Sequence, residues 1–137
     1  MSTRAIIGIQ HADGSILGAW QWNDGNALTG LLNRKFNTLE KAQALVAEGM
    51  WSVMYTSKEL EAYKKFLMQL ASGSTQIEEK VFVEVNGIWL VKDCRWLNVA
   101  PTKYSSYTHA TGQDINHIYL FNPITSKWVR DKKLYNK

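Results

Sequence analysis

The stretch KVFVEVNGIWLVKD, Lys80 to Asp93, constrains this chain more than any other. Two runs rich in β-branched and aromatic residues flank Asn86-Gly87. That dipeptide tolerates the two positive-φ positions of a type I′ turn, so it closes a hairpin with a two-residue loop. The loop length sets the register. Val85 faces Ile88, Glu84 faces Trp89 and Val83 faces Leu90.

A second hairpin opens the chain. Thr3 to Gln10 places Ala5, Ile7 and Ile9 on one face and a mixed set on the other. The turn HADG ends in Asp13-Gly14, a hairpin signal. The returning strand, Ser15 to Trp22, puts Ile16, Gly18, Trp20 and Trp22 on one face. Trp20 reads as a core residue beside Ile16, and Trp22 as a residue that reaches a rim. Asp114 to Phe121 is a further strand, NPITS a turn and KWVR a short last strand.

Three helices are predicted between the hairpins. Asn26 is placed to cap the first, which carries Leu28, Leu31, Leu32 and Phe36. Asn37 or Thr38 starts the second, with Leu39, Ala42, Leu45 and Val46 as its apolar stripe and Gly49 to end it. The linker MWSVMY is apolar and packs on the core. Thr56 and Glu59 have capping-box spacing. They open a helix with Leu60, Tyr63, Phe66, Leu67 and Leu70 on one side, ending near Ser72-Gly73. SGSTQIEE then reads as a loop. The fold class is α+β: an antiparallel sheet built from N- and C-terminal hairpins, with about three helices packed on one face. At 137 residues this is one domain, 1–137.

One region breaks the pattern. Residues 94–113 lack clear periodicity, and loops of that length in a compact domain usually serve a function. This one gathers Arg95, Trp96, Lys103, Tyr104, Tyr107 and His109 among Ser and Thr. Aromatic rings offer stacking area, Arg and Lys offer charge, and hydroxyls orient. The alternatives are a mobile loop, or a short extra strand around Trp96 to Val99.

Other chemistries lack support. The single Cys94 excludes an internal disulfide and a multi-cysteine metal centre. His11, His109 and His117 are scattered over a turn, a loop and a strand, so no metal ligands and no cofactor are expected. There is no P-loop, GxGxxG or GxSxG. Ser2, once Met1 is removed, has the hydroxyl and amine of an N-terminal-nucleophile hydrolase, but the chain is short and helix-rich for that architecture. No apolar run spans a bilayer and the N-terminus lacks a signal-peptide core, so a cytoplasmic location is expected. Net charge is +4. The excess sits in residues 127–137, KWVRDKKLYNK, where five basic residues face Asp131. A basic tail suits nucleic acid or an acidic partner, or is a solvated terminus.

Several of these stretches, in order, resemble a family of small bacterial and phage proteins. Those proteins open with S-T-R, a strand with I-x-I and an Asp/Asn-Gly turn, here Ser2-Thr3-Arg4, Ile7-Gly8-Ile9 and Asp13-Gly14. An H-W-D-G-Y-like motif follows, matched here by Trp22-Asn23-Asp24-Gly25-Asn26, with Gln21 in place of His and Asn26 in place of Tyr. A Leu-Leu helix corresponds to Leu31-Leu32. The closing D-I-x-x-I-Y-L-F strand corresponds to Asp114 to Phe121, ahead of a Trp-bearing strand at Trp128. The resemblance implies a prokaryotic or phage setting and brings no activity with it.

Together these features point to a non-enzymatic binding protein that sequesters an anionic nucleotide-type signal, in a phage setting as counter-defence. The candidate contacts are Arg4, Trp22, Asp24, Arg95, Lys103, Tyr104, Tyr107 and His109. Arg95 and Lys103 would take phosphates. Trp22 and a loop tyrosine would stack on the base, and Asp24 would accept from a base amine or a ribose hydroxyl. A second subunit completing the site, in a homo-oligomer, fits this reading. The alternative is an inhibitor of a host protein, using Trp51, Met50 and Met54 as an exposed apolar patch. Nucleic-acid binding through the tail and the Ser2 hydrolase are further alternatives.

Overall fold

The computed structural model describes residues 3–69 and 80–134. The described chain is α+β, with two sheets and four α-helices. Its elements are β1 (Ala5–Gln10), β2 (Ile16–Gln21), α1 (Thr29–Lys35), α2 (Leu39–Val46), β3 (Met50–Trp51), β4 (Val53–Tyr55) and α3 (Ser57–Gln69). After the undescribed stretch come β5 (Lys80–Val85), β6 (Ile88–Asp93), a 3-10 turn (Cys94–Trp96), β7 (Thr102–Tyr104), α4 (Tyr107–Thr111), β8 (His117–Asn122) and β9 (Lys127–Arg130). The expected end of α3 near Ser72-Gly73, the SGSTQIEE loop and Ser2 lie outside the described residues.

The large sheet runs β3-β2-β1-β8-β9, with β7 also paired to β2. Its two hairpins meet in parallel rather than antiparallel fashion: Ala5 lies beside His117, Ile7 beside Tyr119 and Ile9 beside Phe121. Parallel pairing needs a long crossover, and all the intervening elements provide one. It places β1 in the middle of the sheet, where all six of its residues are buried. The mixed face read from the sequence is therefore a second core face. Ile7, Ile9, Ala19, Tyr119 and Phe121 pack against α1, α2 and the small sheet. Ile6, Ile16, Ile118 and Leu120 pack on the opposite face against Tyr104, Ala110 of α4 and Leu134. Burying each such side chain is worth about 1.5–3 kcal/mol, so both faces contribute to stability.

The small sheet, β4-β6-β5, contains the Asn86-Gly87 hairpin. Asn86 (φ 51) and Gly87 (φ 84) adopt the two positive-φ positions of the type I′ turn, and the pairs are Val85–Ile88, Glu84–Trp89 and Val83–Leu90. The apolar linker MWSVMY supplies β3 to one sheet and β4 to the other. Its expected exposed patch is absent: Trp51 is fully buried and Met54 nearly so, because each strand faces the main core.

Helix starts follow local chemistry. Thr38 caps α2 by accepting from Lys41 N–H, and Thr56 and Glu59 exchange the two bonds of the capping box. Asn26 does not cap α1. That helix begins after Leu28, whose N–H reaches the Tyr119 hydroxyl, and the same hydroxyl donates to Gly25 O. A buried tyrosine on β8 thus holds the segment that leads into α1, and the helix itself has no side-chain cap.

Candidate functional site

The outer edge of β2 is shared by two short strands. β7 pairs antiparallel with its first half, at Ile16, Leu17 and Gly18. β3 pairs parallel with its last residues, at Trp20 and Gln21. Neither strand covers the whole edge. Where they part, Gly49 turns the chain at φ +77, tightly against the Val99 and Ala100 backbone. A Cβ at Gly49 would lie 1.9 Å from Val99 O, so only glycine fits.

A cleft of about 360 Å³ lies over this junction. Trp20 and Trp22 from the β2 edge form one wall, with Gly49 and Met50 beside them. Val99, Ala100, Thr102 and Tyr104 form another, and His109 and Gln113 close the side. The volume is at the small end of ligand clefts, about 300–1,000 Å³. None of these lining side chains is an Asp, Glu, Lys or Arg.

The aromatic wall is firmly held. Trp20 Nε1 donates to the Tyr104 hydroxyl at 2.7 Å, tying β2 to β7. Trp22 packs against Trp20 at 5.4 Å between ring centroids and stacks on Trp96 at 6.2 Å with planes 16° apart. The Trp22 indole N–H is buried and meets no acceptor among the described residues. Below the wall, buried Gln21 accepts from Trp51 Nε1 at 2.8 Å and donates to Asn23 O at 2.7 Å. Lys92, also buried, holds Glu48 by its carboxylate (3.1 Å) and its carbonyl (2.7 Å), which anchors the turn into Gly49.

His109 is positioned by α4. Ser106 caps the helix by accepting from His109 N–H. Ser105 N–H donates to His109 Nδ1 at 3.1 Å, and Ser105 Oγ lies 3.2 Å from the same nitrogen. A backbone N–H can only donate, so Nδ1 is the acceptor and the neutral ring carries its proton on Nε2. With Nδ1 already engaged, this Ser–His pair is a turn-forming contact rather than a nucleophile and its base.

Of the residues expected to bind ligand, the cleft brings together Trp22, Tyr104 and His109. The others lie elsewhere. Arg4 forms a bidentate pair with Asp114 at 3.0 and 3.1 Å. Arg95 pairs with Asp93, holding that carboxyl well below the usual range through side-chain and then backbone hydrogen bonds. Lys103 is exposed on β7 between two cleft residues, and it adds only a minor effect to the Ser15 hydrogen bonds that lower the Asp13 carboxyl in the first turn. Asp24, at φ 58, adds to the burial that pushes the Tyr55 phenol up. Tyr107 opens α4 and packs against the core face of Ile6 and Ile118, where burial first and Asp131 second push its phenol up.

Trp20, Gly49, Val99, Ala100, Thr102 and Gln113 also line the cleft although none of them is expected as a ligand contact from the sequence, and Met50, expected in an exposed apolar patch, lines it too. Trp20 carried a signal, since it shares a strand face with Trp22. The rest are placed by the pairing of β3 and β7 with one edge. Among the described residues no group of His, Cys, Asp and Glu is arranged to hold a metal ion, and no helix is long and apolar enough to cross a membrane. Cys94 is free and exposed.

Compared with protein-family models, curated proteins and solved structures, the chain has no match.

Proposed function

We propose that this chain is a non-catalytic binding protein whose cleft holds one planar heteroaromatic ring of nucleoside type. The observation that carries the reading is the uncharged aromatic cleft itself, walled by Trp20, Trp22 and Tyr104 over the divided edge of β2. Stacking of a base on an aromatic side chain is worth about 1–3 kcal/mol, and it tolerates any ring with a π-face. The neutral lining bears on the anionic part of the expected ligand. The base and sugar suit the cleft, and a phosphate suits only its open side. In the phage setting implied by the sequence resemblance, holding such a ring without converting it amounts to sequestering a host signal.

The test is mass spectrometry of small molecules released on denaturing the purified protein, joined to thermal-shift measurements with nucleosides and nucleotides. A shift that disappears in Trp22→Ala supports the cleft. No released compound and no shift across the panel would refute it. A second reading, inhibition of a host protein, has one observation behind it: Phe66 and Met68 of α3 are 56% and 70% exposed. A pull-down that returns one partner, lost in Phe66→Ser, would favour that reading instead.

A further inference from the structure

Two polar groups in the cleft have orientations fixed by the backbone. His109 and Gln113 are four residues apart, and the turn of α4 continues to Gln113 through its N–H bond to Ala110 O. Residues at that spacing share a helix face, with Cβ atoms about 5–6 Å apart. Both line the cleft. His109 Nδ1 accepts from Ser105 N–H, which leaves Nε2–H as a donor. The Gln113 side-chain amide donates to His109 O at 3.2 Å, which fixes its orientation and leaves Oε1 as an acceptor. Neither Nε2 of His109 nor Oε1 of Gln113 has a hydrogen-bond partner among the described residues. Two residues that line the cleft beside its aromatic wall, one helical turn apart, therefore carry one uncommitted donor and one uncommitted acceptor.

We propose that this pair reads the pairing edge of an unpaired nucleobase. The edge of each base that pairs in a duplex carries a ring nitrogen next to an exocyclic oxygen or amine. In uracil and hypoxanthine these are an N–H donor and a carbonyl acceptor. In adenine they are a ring-nitrogen acceptor and an amine donor, which meet the same two protein groups once the ring is turned over. The pairing edge enters the cleft and the sugar points outward. That places a phosphate at the open side and explains why the lining needs no cation. A base already paired in a duplex is excluded, because its edge is occupied. The inference rests on the reading of the cleft as a ring-binding site.

Calorimetry on the full chain tests it with four uncharged probes: uridine, 3-methyluridine, adenosine and N6,N6-dimethyladenosine. The methyl groups block the pairing edge and leave the stacking face intact. The intact nucleosides are expected to bind roughly ten- to hundredfold more tightly than their methylated forms, the value of a good two-bond contact. In Gln113→Leu and His109→Phe that ratio is expected to collapse towards one. If no nucleoside binds, the ring-binding reading fails and this inference falls with it. If methylated and intact forms bind equally, ring binding stands and edge reading is overturned. A preference that persists undiminished in both variants overturns the assignment to His109 and Gln113.

Discussion

Gly49→Ala is the sharpest test of the junction that builds the cleft, and Gly87→Ala is its control. Both glycines are at positive φ, +77 and +84. Alanine in that region costs about 1–2 kcal/mol at either site. The surroundings differ. A Cβ at Gly87 meets nothing within 4 Å, so the conformational cost is all it incurs. A Cβ at Gly49 meets Val99 O at 1.9 Å, Val99 C at 2.8 Å and Ala100 C at 3.0 Å. These are backbone atoms and cannot swing aside as a side chain does. Relieving the contact means pushing the approach to β7 away from the β2 edge, at a further cost of about 1–3 kcal/mol typical of overpacking. Gly49→Ala should thus destabilise by about 2–5 kcal/mol and Gly87→Ala by about 1–2. Urea titration followed by tryptophan fluorescence measures both. Equal losses at the two sites would refute the claim that β3 and β7 are locked together at Gly49.

Three further outcomes follow from the geometry. Trp51→Phe removes the donor to Gln21 Oε1 and leaves a buried amide oxygen unpaired, at a cost of about 1–3 kcal/mol; a loss below half a kcal/mol in urea unfolding would contradict the network. Thr56→Ala removes one half of the capping box and should cost about 1 kcal/mol, with the loss appearing in helical circular dichroism on heating. The Asp93 carboxyl should titrate below the ordinary value of about 3.9, because Arg95 donates to it. Since the folded value is the lower one, its stabilising effect is present above about pH 3.9 and is lost as pH falls towards the folded value. Carbon NMR measures the midpoint, and Arg95→Gln should raise it.

What was legible in the sequence was local. Asn86-Gly87 specified its own register because a two-residue loop allows only one. Thr56 and Glu59 specified a helix start because both partners lie within one turn. The parallel join of β1 and β8 was hidden, since the same alternation suits either direction and the partners are distant in the chain. The candidate site divided along the same line. Trp22, Tyr104 and His109 meet because β7 and α4 condense out of the irregular 94–113 region. Charge in that region did not converge with them. Arg95 finds Asp93 two residues away, and alternation turns Lys103 away from the face of Tyr104. A count of aromatic and basic residues in a loop cannot distinguish those that share a face from those that do not.

The central place of β1 has a consequence for how the molecule is made. Its backbone is tied across a separation of 112 residues, as in the bond from Arg4 N–H to Asn116. A ribosome delivers about 5–20 residues per second, so AIIGIQ waits roughly five to twenty seconds for β8 to emerge. During that interval the β1 edge of the first hairpin has no partner strand, and for most of it the β2 edge lacks β7 as well, an opening for pairing with a neighbouring nascent chain. Slowing translation downstream of Gln21 should therefore lower soluble yield, and chaperone capture in the cell should concentrate on this first hairpin.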